Sequence, residues 1–245
     1  MKIVTGVRCV ARNPETMWDT IESLKNAGFF DLMFFVDGRF PKLAKLEQHG
    51  VVLHRKRQVG AWPNFYLALA ELTLREPTAD YYLVVEDDVL FCKDVCHYLE
   101  QSKTPIQVAS LFSSQRIEQA ILDKGIGFTK LNPGWRVSSG SQAFLFSAEY
   151  ALKFLTSPFV VHYRKSPPTD IDKTHYRLDG LHHVDCVLGR FCYEAGCGIQ
   201  YHSPSLSQHT GEESFMYRGF KGKEDSRFSE HFPGEDVSAL TFLDL

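Results

Sequence analysis

The chain has 245 residues, of which 44% are hydrophobic and 23% charged, and its formal net charge is -3. This length suffices for one sizeable hydrophobic core and makes two independent domains cramped. The small net charge excludes a global basic field that would hold nucleic acid, and no window approaches the roughly 18 apolar residues of a membrane span.

The first half of the sequence alternates strand and helix patterns with short connections. Apolar runs predict strands at residues 3–10, 32–37 and 51–55, and a fourth strand that starts at residue 81. Helical patterns lie between them at residues 14–27, 41–48 and 62–75, the first with Asn13 as its cap and Gly28 as its stop. This order predicts an α/β fold with a mostly parallel central sheet flanked by helices.

The second half is less regular. We expect helices at residues 93–101, 149–155 and 181–195, and strands at 106–112, 143–146 and 198–202. Residues 116–136 read as irregular, and residues 157–177 read as a flexible loop because Pro, Lys and Asp are frequent there. A polar tail follows from residue 211.

Three consecutive acids, Glu86, Asp87 and Asp88, follow the apolar run of the fourth strand. Ligands of open α/β sheets bind beyond the carboxyl ends of the strands, which is where these side chains should lie. Adjacent carboxylates repel one another, so the cluster favours a divalent cation or a buried proton. The alternative is an acidic turn in which Asp88 caps the next element.

A glycine-containing turn, Gly60 to Asn64, opens the helix that precedes the acidic strand. The free amides of a helix N-terminus bind anions, and Asn64 adds a polar group in the first turn. The alternative is that Asn64 is a surface residue or a cap.

Two later residues are further candidates. Asp185 lies near the start of a predicted helix, where the helix dipole favours an ionised carboxylate that could act as a base; alternatively, it only stabilises that dipole. His209 follows a short strand and could complete an oxygen-rich metal site, although a lone histidine is also a common surface or core residue.

The order of these motifs resembles that of glycosyltransferases with the GT-A fold, over roughly residues 2 to 211. The nearest likenesses are the N-acetylglucosaminyltransferase IV family and the lipopolysaccharide and procollagen galactosyltransferases. The matching segments are Arg8-Cys9-Val10-Ala11-Arg12-Asn13, Val36-Asp37-Gly38, Gly60-Ala61-Trp62-Pro63-Asn64, Val84-Val85-Glu86-Asp87-Asp88, Ser139-Gly140-Ser141-Gln142-Ala143-Phe144-Leu145-Phe146-Ser147, Val184-Asp185-Cys186-Val187-Leu188-Gly189-Arg190 and Pro204-Ser205-Leu206-Ser207-Gln208-His209-Thr210-Gly211.

The resemblance implies a role for each matching residue. Asp88 and His209 would be the metal ligands, and Asp185 would be the catalytic base, with Val184 where many inverting members have Glu. Binding of the nucleotide sugar would involve Val10, Arg12, Asp37, Gly60, Asn64, Glu86 and Asp87.

The resemblance therefore implies an inverting glycosyltransferase that needs Mn²⁺ or Mg²⁺ and a nucleotide diphosphate sugar, with a UDP-sugar favoured. A retaining galactosyl- or glucosyltransferase and a non-catalytic module that binds nucleotide sugars or glycans are the alternatives. The acceptor would be a glycan, lipid, protein or small molecule. We expect one domain over residues 1–245, with a nucleotide-sugar half (1–112), an acceptor half (113–211) and a tail (212–245).

Three further expectations concern the acceptor and the location. The segment around Trp135 and the loop at 157–177 are candidates for acceptor binding and closure. The sequence starts without a leader pattern, so we expect a cytoplasmic protein. Basic and aromatic residues at 215–227 could contact a membrane surface.

Overall fold

The computed structural model describes residues 1–12, 15–131, 140–165, 184–210 and 228–243, with only the backbone of residues 162–165. The strands are β1 (Ile3–Cys9), β2 (Leu32–Asp37), β3 (Val51–Arg55), β4 (Tyr81–Glu86), β5 (Val89–Phe91), β6 (Val108–Ser110), β7 (Gly127–Leu131), β8 (Ala143–Ser147), β9 (Ile199–Ser203) and β10 (Ser207–His209). The helices are α1 (Met17–Asn26), α2 (Leu43–Leu46), α3 (Ala61–Arg75), α4 (Val95–Gln101), α5 (Gln115–Ile121), α6 (Ala148–Thr156), α7 (Pro158–Lys165) and α8 (Val184–Glu194), with short 3₁₀ segments at Leu122–Lys124 and Ala239–Phe242.

Eight strands form one twisted sheet in the order β3-β2-β1-β4-β8-β6-β9-β7. Strands β1 to β4 are mutually parallel neighbours, and β6 and β9 are parallel to each other. Strand β8 is antiparallel to both β4 and β6, and β7 is antiparallel to β9. The predicted α/β fold with a mostly parallel sheet is confirmed, with β7 and β8 running against the other strands.

Helices cover both faces of the sheet, because alternate side chains of each strand point to opposite faces. On one face, Phe65 and Leu69 of α3 pack in a cluster with side chains of α6 and α8. On the other face, Leu24 of α1 packs in a cluster with residues of α4. A Cβ at Gly6 would lie 2.8 Å from a side-chain atom of Leu72, so glycine allows α3 to approach β1 closely.

Several predicted boundaries were wrong. Helix α1 begins at Met17 rather than at residue 14, since residues 15 and 16 are not helical, and the hydroxyl of Thr16 donates to the carbonyl of Asp87. The predicted cap, Asn13, lies outside the described residues. Residues 116–136 were predicted irregular but contain most of α5 and all of β7, and the predicted loop at 157–177 contains α7. Helix α2 is a single turn, shorter than the predicted 41–48.

A second, two-stranded sheet was not predicted. Strand β5 pairs with β10 in antiparallel register, and His209 faces Val89 in that pairing. Both strands are only three residues long, so their side-chain pattern is too short to recognise. Among the described helices, none combines the length and apolar character needed to cross a lipid bilayer.

Candidate functional site

The acidic triplet lies at the carboxyl edge of the sheet, where β4 ends and the chain turns into β5. Alternation along the strand separates the first two acids. Glu86 lies on the α3 side, where it meets Arg8, and Asp87 points to the α1 side, where it meets Val10 and Arg12. Asp87 and Asp88 are completely buried, so each needs polar partners to remain in the fold.

Asp87 joins the ends of β1 and β4. Its Oδ2 accepts a 2.7 Å hydrogen bond from the backbone amide of Val10, and its Oδ1 lies 2.8 Å from Nε of Arg12. Burial raises the pKa of Asp87 to about 7, with a smaller contribution from the charge of Asp88, although Arg12 and the Val10 amide act in the opposite direction. Asp87 thus orders the β1 end that was expected to lie beside the nucleotide.

Asp88 has a different set of partners. Its Oδ2 lies 2.5 Å from Nη1 of Arg12 and 3.1 Å from Nε2 of His209, while its buried Oδ1 has no hydrogen-bond partner within the described part of the chain. Burial acts to raise the pKa of Asp88, but His209 and Arg12 outweigh it and hold the pKa below its usual value. These contacts favour the ionised carboxylate, and no described residue occupies its Oδ1.

Two residues from the second half of the chain contact Asp88: His209, the last residue of β10, and Thr210, which follows it. The backbone amide and hydroxyl of Thr210 donate to the carbonyl of Asp88, at 2.9 and 3.1 Å. Burial acts to lower the pKa of His209, but the charge and hydrogen bond of Asp88 outweigh it and raise the pKa. Nδ1 of His209 is buried and has no hydrogen-bond partner among the described residues.

Glu86 completes a possible cation site. One ligand atom each from Glu86, Asp88 and His209 lie within 4.8 Å of one another. Two carboxylates with one imidazole are donors that suit a divalent cation of the Mn²⁺ and Mg²⁺ class, and the unpartnered Oδ1 of Asp88 is an available lone-pair donor. The residues present therefore fit the expected ion.

Two residues near this site were missed as functional candidates, Arg8 and Ser141. Nη2 of Arg8 lies 2.6 Å from Oε1 of Glu86, and the hydroxyl of Ser141 makes a short hydrogen bond to the same oxygen. Arg8 also donates to the carbonyls of Ala61 and Ser141. The sequence did contain a signal for Arg8: an arginine inside the apolar run of β1 should be buried, and a buried cation needs a buried anion as its partner.

The predicted base, Asp185, lies in the first turn of α8 and is connected to the acidic site through Gly140 and Ser141. Its Oδ2 accepts a 3.2 Å hydrogen bond from the amide of Gly140. The next residue, Ser141, contacts Glu86, so neighbouring residues link the two acids. Val184, which precedes the predicted base, is buried in the hydrophobic core.

The three remaining predicted residues, Asp37, Gly60 and Asn64, connect the end of β2 with the start of α3. Both carboxylate oxygens of Asp37 accept backbone amides, from Val59 at 2.7 Å and from Gly60 at 2.9 Å. Gly60 has a φ of 94°, a conformation that favours glycine. The amide nitrogen of Asn64 donates to the carbonyl of Phe35 at 3.1 Å. These residues brace the sheet edge, and contact with a nucleotide stays a prediction for them.

A small cleft opens beside Asp87. It lies between the end of β1, the start of α1 and the turn after β2. The turn after β2 was not predicted to take part, and its only sequence signal is an aromatic residue and a proline just beyond a buried strand. The lining residues are Val10, Ala11, Arg12, Glu15, Thr16, Met17, Phe40, Pro41, Lys42 and Asp87.

No family model and no curated protein match the sequence. A solved structure described as a putative glucose-1-phosphate thymidylyltransferase from Bacillus anthracis is 9% identical, with 84% of this chain and 89% of that chain covered and a TM-score of 0.48. A mannose-1-phosphate geranyltransferase from Thermus thermophilus is 13% identical, with 82% and 74% covered and a TM-score of 0.44.

A third solved structure is a CMP:2-keto-3-deoxy-manno-octonic acid synthetase, 12% identical, with 82% of this chain and 89% of that chain covered and a TM-score of 0.44. Likenesses this distant support no conclusion about activity. The resemblance to the two glycosyltransferase families therefore rests on the sequence motifs, and the activity is inferred from the site itself.

Proposed function

We propose that the chain is a divalent-cation-dependent glycosyltransferase that moves a sugar from a nucleotide diphosphate sugar to an acceptor hydroxyl with inversion. One observation carries the proposal. Asp88, Glu86 and His209 converge at the carboxyl edge of the sheet, next to a cleft lined by Arg12 and Phe40. Ligands of open α/β sheets bind at this edge, so a cation site beside a cleft there suits a nucleoside diphosphate.

The cleft suits the nucleoside end of the donor. Phe40 and Pro41 provide apolar lining for a base, and Val10 and Ala11 at the end of β1 line the same cleft. Arg12 lies at the boundary between the cleft and the acids, where the diphosphate would have to pass. A UDP-sugar is the favoured donor.

The cation would be Mn²⁺ or Mg²⁺, held by Asp88, His209 and Glu86. When bound, it acts as a Lewis acid that neutralises the charge of the departing diphosphate. The protein orients these ligands through contacts of its own, since Arg8 and Ser141 hold Glu86 and the β5 to β10 pairing holds His209.

Asp185 is proposed as the base. As the acceptor oxygen bonds to the anomeric carbon and the bond to the diphosphate breaks, the hydroxyl proton passes to the Asp185 carboxylate. Its place in the first turn of α8 favours the ionised form that such a base needs. Assigning proton transfer to Asp185 and ion binding to Asp88 avoids a conflict, because a metal-bound carboxylate is a poor base.

Two variants test the proposal against its alternatives. Asp185→Asn should lose turnover and keep donor affinity, whereas Asp88→Asn should lose cation-dependent donor binding and turnover, by about 10²-fold or more. Asp123→Asn is the matched control, because Asp123 is exposed and pairs only with its neighbour Lys124 among the described residues. Full activity of Asp185→Asn would favour a retaining enzyme, and donor binding by the unaltered chain without turnover on any acceptor would favour a binding module.

The acceptor side stays a prediction. Trp135, most of the 157–177 segment and residues 215–227 lie outside the described residues. A glycan, lipid, protein or small-molecule acceptor, contact with a membrane surface and a cytoplasmic location are therefore proposed on the sequence alone.

A further inference from the structure

Arg12 is the only described cationic residue that contacts two acids of the triplet. Its Nε lies 2.8 Å from Oδ1 of Asp87, and its Nη1 lies 2.5 Å from Oδ2 of Asp88. The other guanidinium nearby, that of Arg8, is paired with Glu86 instead. Arg12 therefore supplies the positive charge that allows two adjacent carboxylates to remain buried.

This pairing involves a residue proposed to bind the cation. Oδ2 of Asp88 already has Arg12 on one side and His209 at 3.1 Å on the other. A divalent cation binds a carboxylate oxygen at roughly 2.0–2.6 Å, so it would share this carboxylate with a fixed guanidinium. Two cations this close repel each other strongly, and the repulsion is poorly screened at a buried site.

The guanidinium of Arg12 is also accessible from the cleft. Its side chain is 18% exposed, whereas those of Asp87 and Asp88 are 1% and 0% exposed. It also lines the cleft that begins at Asp87. A planar guanidinium binds phosphate oxygens as well as it binds carboxylates, often through two parallel hydrogen bonds. A short movement of Arg12 would exchange one kind of partner for the other.

We propose that Arg12 competes with the divalent cation for Asp88, and that it transfers from this carboxylate to the donor's diphosphate when cation and donor bind together. The inference rests on the proposed function, since it assumes that Asp88 is a cation ligand. It adds a reason for cooperative binding: the cation alone binds against the repulsion of Arg12, whereas an arriving diphosphate gives Arg12 a new partner. Cation binding and diphosphate binding are then mutually reinforcing.

The test measures ion binding separately from catalysis. The full chain is titrated with Mn²⁺ alone, and the free ion is followed by electron paramagnetic resonance. Arg12→Gln removes the competing charge and should raise the affinity for Mn²⁺ by about tenfold or more. Calorimetric titration with UDP at saturating Mn²⁺ should show the opposite change, a weaker affinity for the diphosphate in the same variant.

Two controls accompany this variant. Arg12→Lys keeps a positive charge, so its affinity for Mn²⁺ should stay near that of the unaltered chain. Arg55→Gln removes a guanidinium that pairs with Glu71, and it should leave Mn²⁺ binding unchanged. An affinity for Mn²⁺ that is unchanged or reduced in Arg12→Gln overturns the inference and makes Arg12 a positioning residue for the carboxylates.

A second measurement uses the unaltered chain in case Arg12→Gln does not fold. The Nε–H resonance of Arg12, assigned by its absence in Arg12→Lys, should shift when Mg²⁺ and UDP are added together. A resonance that stays in place at saturation contradicts the exchange. If neither the unaltered chain nor Arg12→Gln binds Mn²⁺, and Asp88→Asn is indistinguishable from both, the proposed function itself has failed.

Discussion

Nε2 of His209 lies 3.1 Å from Oδ2 of Asp88, although 121 positions separate the two residues in the chain. The contact is a consequence of strand pairing. Strand β5 starts immediately after Asp88, and its first residue, Val89, faces His209 across the antiparallel pair. The hydrogen bonds from Thr210 to the carbonyl of Asp88 fix the same register. The backbone therefore sets the geometry of this side-chain pair.

Replacement of this histidine tests whether the pair binds a cation. His209→Gln should weaken Mn²⁺ binding by about 10- to 100-fold, because one ligand and its orientation are lost together. The measurement is a Mn²⁺ titration of the purified chain, with the melting temperature recorded in parallel. His49→Gln is a suitable control, because His49 contacts Lys25 and Trp18 rather than the acids. Equal Mn²⁺ affinity in the two variants would argue against His209 as a ligand.

Asp37 offers a test of the brace at the start of α3. The variant Asp37→Asn retains one acceptor oxygen, but its NH₂ group faces a backbone N–H, so one of the two hydrogen bonds to Val59 and Gly60 is lost. Since hydrogen bonds to a charged acceptor contribute about 1.5–3 kcal/mol each, unfolding in urea should show a loss of that order. The surface control Asp123→Asn should change the free energy of unfolding by less than about 0.5 kcal/mol. A loss of donor affinity without a loss of stability would instead indicate direct contact with the nucleotide.

Phe40 tests the position of the nucleoside in the cleft. Phe40→Ala removes an apolar wall, so KM for the donor should rise by about tenfold while kcat changes little, because the base is bound equally in the ground and transition states. Steady-state kinetics with the identified donor provide the measurement. Phe30→Ala is the matched control, because Phe30 is 71% exposed and does not line the cleft. Similar KM values for both variants would place the nucleoside elsewhere.

Burial of His202 predicts that stability depends on pH in a way that is independent of the candidate site. The imidazole is fully buried, with Nε2 2.6 Å from the hydroxyl of Tyr98 and Nδ1 2.6 Å from the carbonyl of Pro204. Burial lowers the pKa of His202 to about 4, although the hydrogen bond to Pro204 acts in the opposite direction. Its ordinary pKa is about 6.5, so the unfolded chain binds a proton that the folded chain excludes between these values.

Stability should therefore fall as the pH falls from about 6.5 to about 4. The depression of the pKa of His202 corresponds to roughly 3 kcal/mol over this window, contributed in full above pH 6.5 and lost by about pH 4. Urea unfolding at several pH values measures the slope. His202→Gln removes the titrating group, so the variant should show a flatter profile even though it is less stable at neutral pH. An unchanged slope would assign the acid sensitivity to other groups.

The strands that the sequence predicted best are those whose apolar runs end at clear turn residues. β2 and β3 were predicted at their observed bounds, because Gly38 follows the first run and Gly50 precedes the second. The short strands β5 and β10 and the edge strand β7 were missed, since each depends on pairing with distant segments. No local pattern contains that information.

In the candidate site, too, residues with a local sequence pattern were predicted and residues that depend on strand assembly were not. The acids and Asp185 stood out because carboxylates follow an apolar strand or start a helix. The partners of the acids did not, because Arg8 and Ser141 meet Glu86 only after β1, β4 and β8 have assembled. The cleft wall at Phe40 depends in the same way on how β2 lies beside β1.

The central claim is that the cation site and the cleft together bind a nucleotide diphosphate sugar. The most direct test is the melting temperature of the chain with UDP-, GDP-, CMP- and dTDP-sugars, each with and without Mn²⁺. A ligand that binds only the folded chain raises its stability in proportion to occupancy. We predict a rise with one nucleotide, UDP first, that requires Mn²⁺ and disappears in Asp88→Asn. No rise with any nucleotide sugar would contradict the claim and leave the acidic triplet with a structural role.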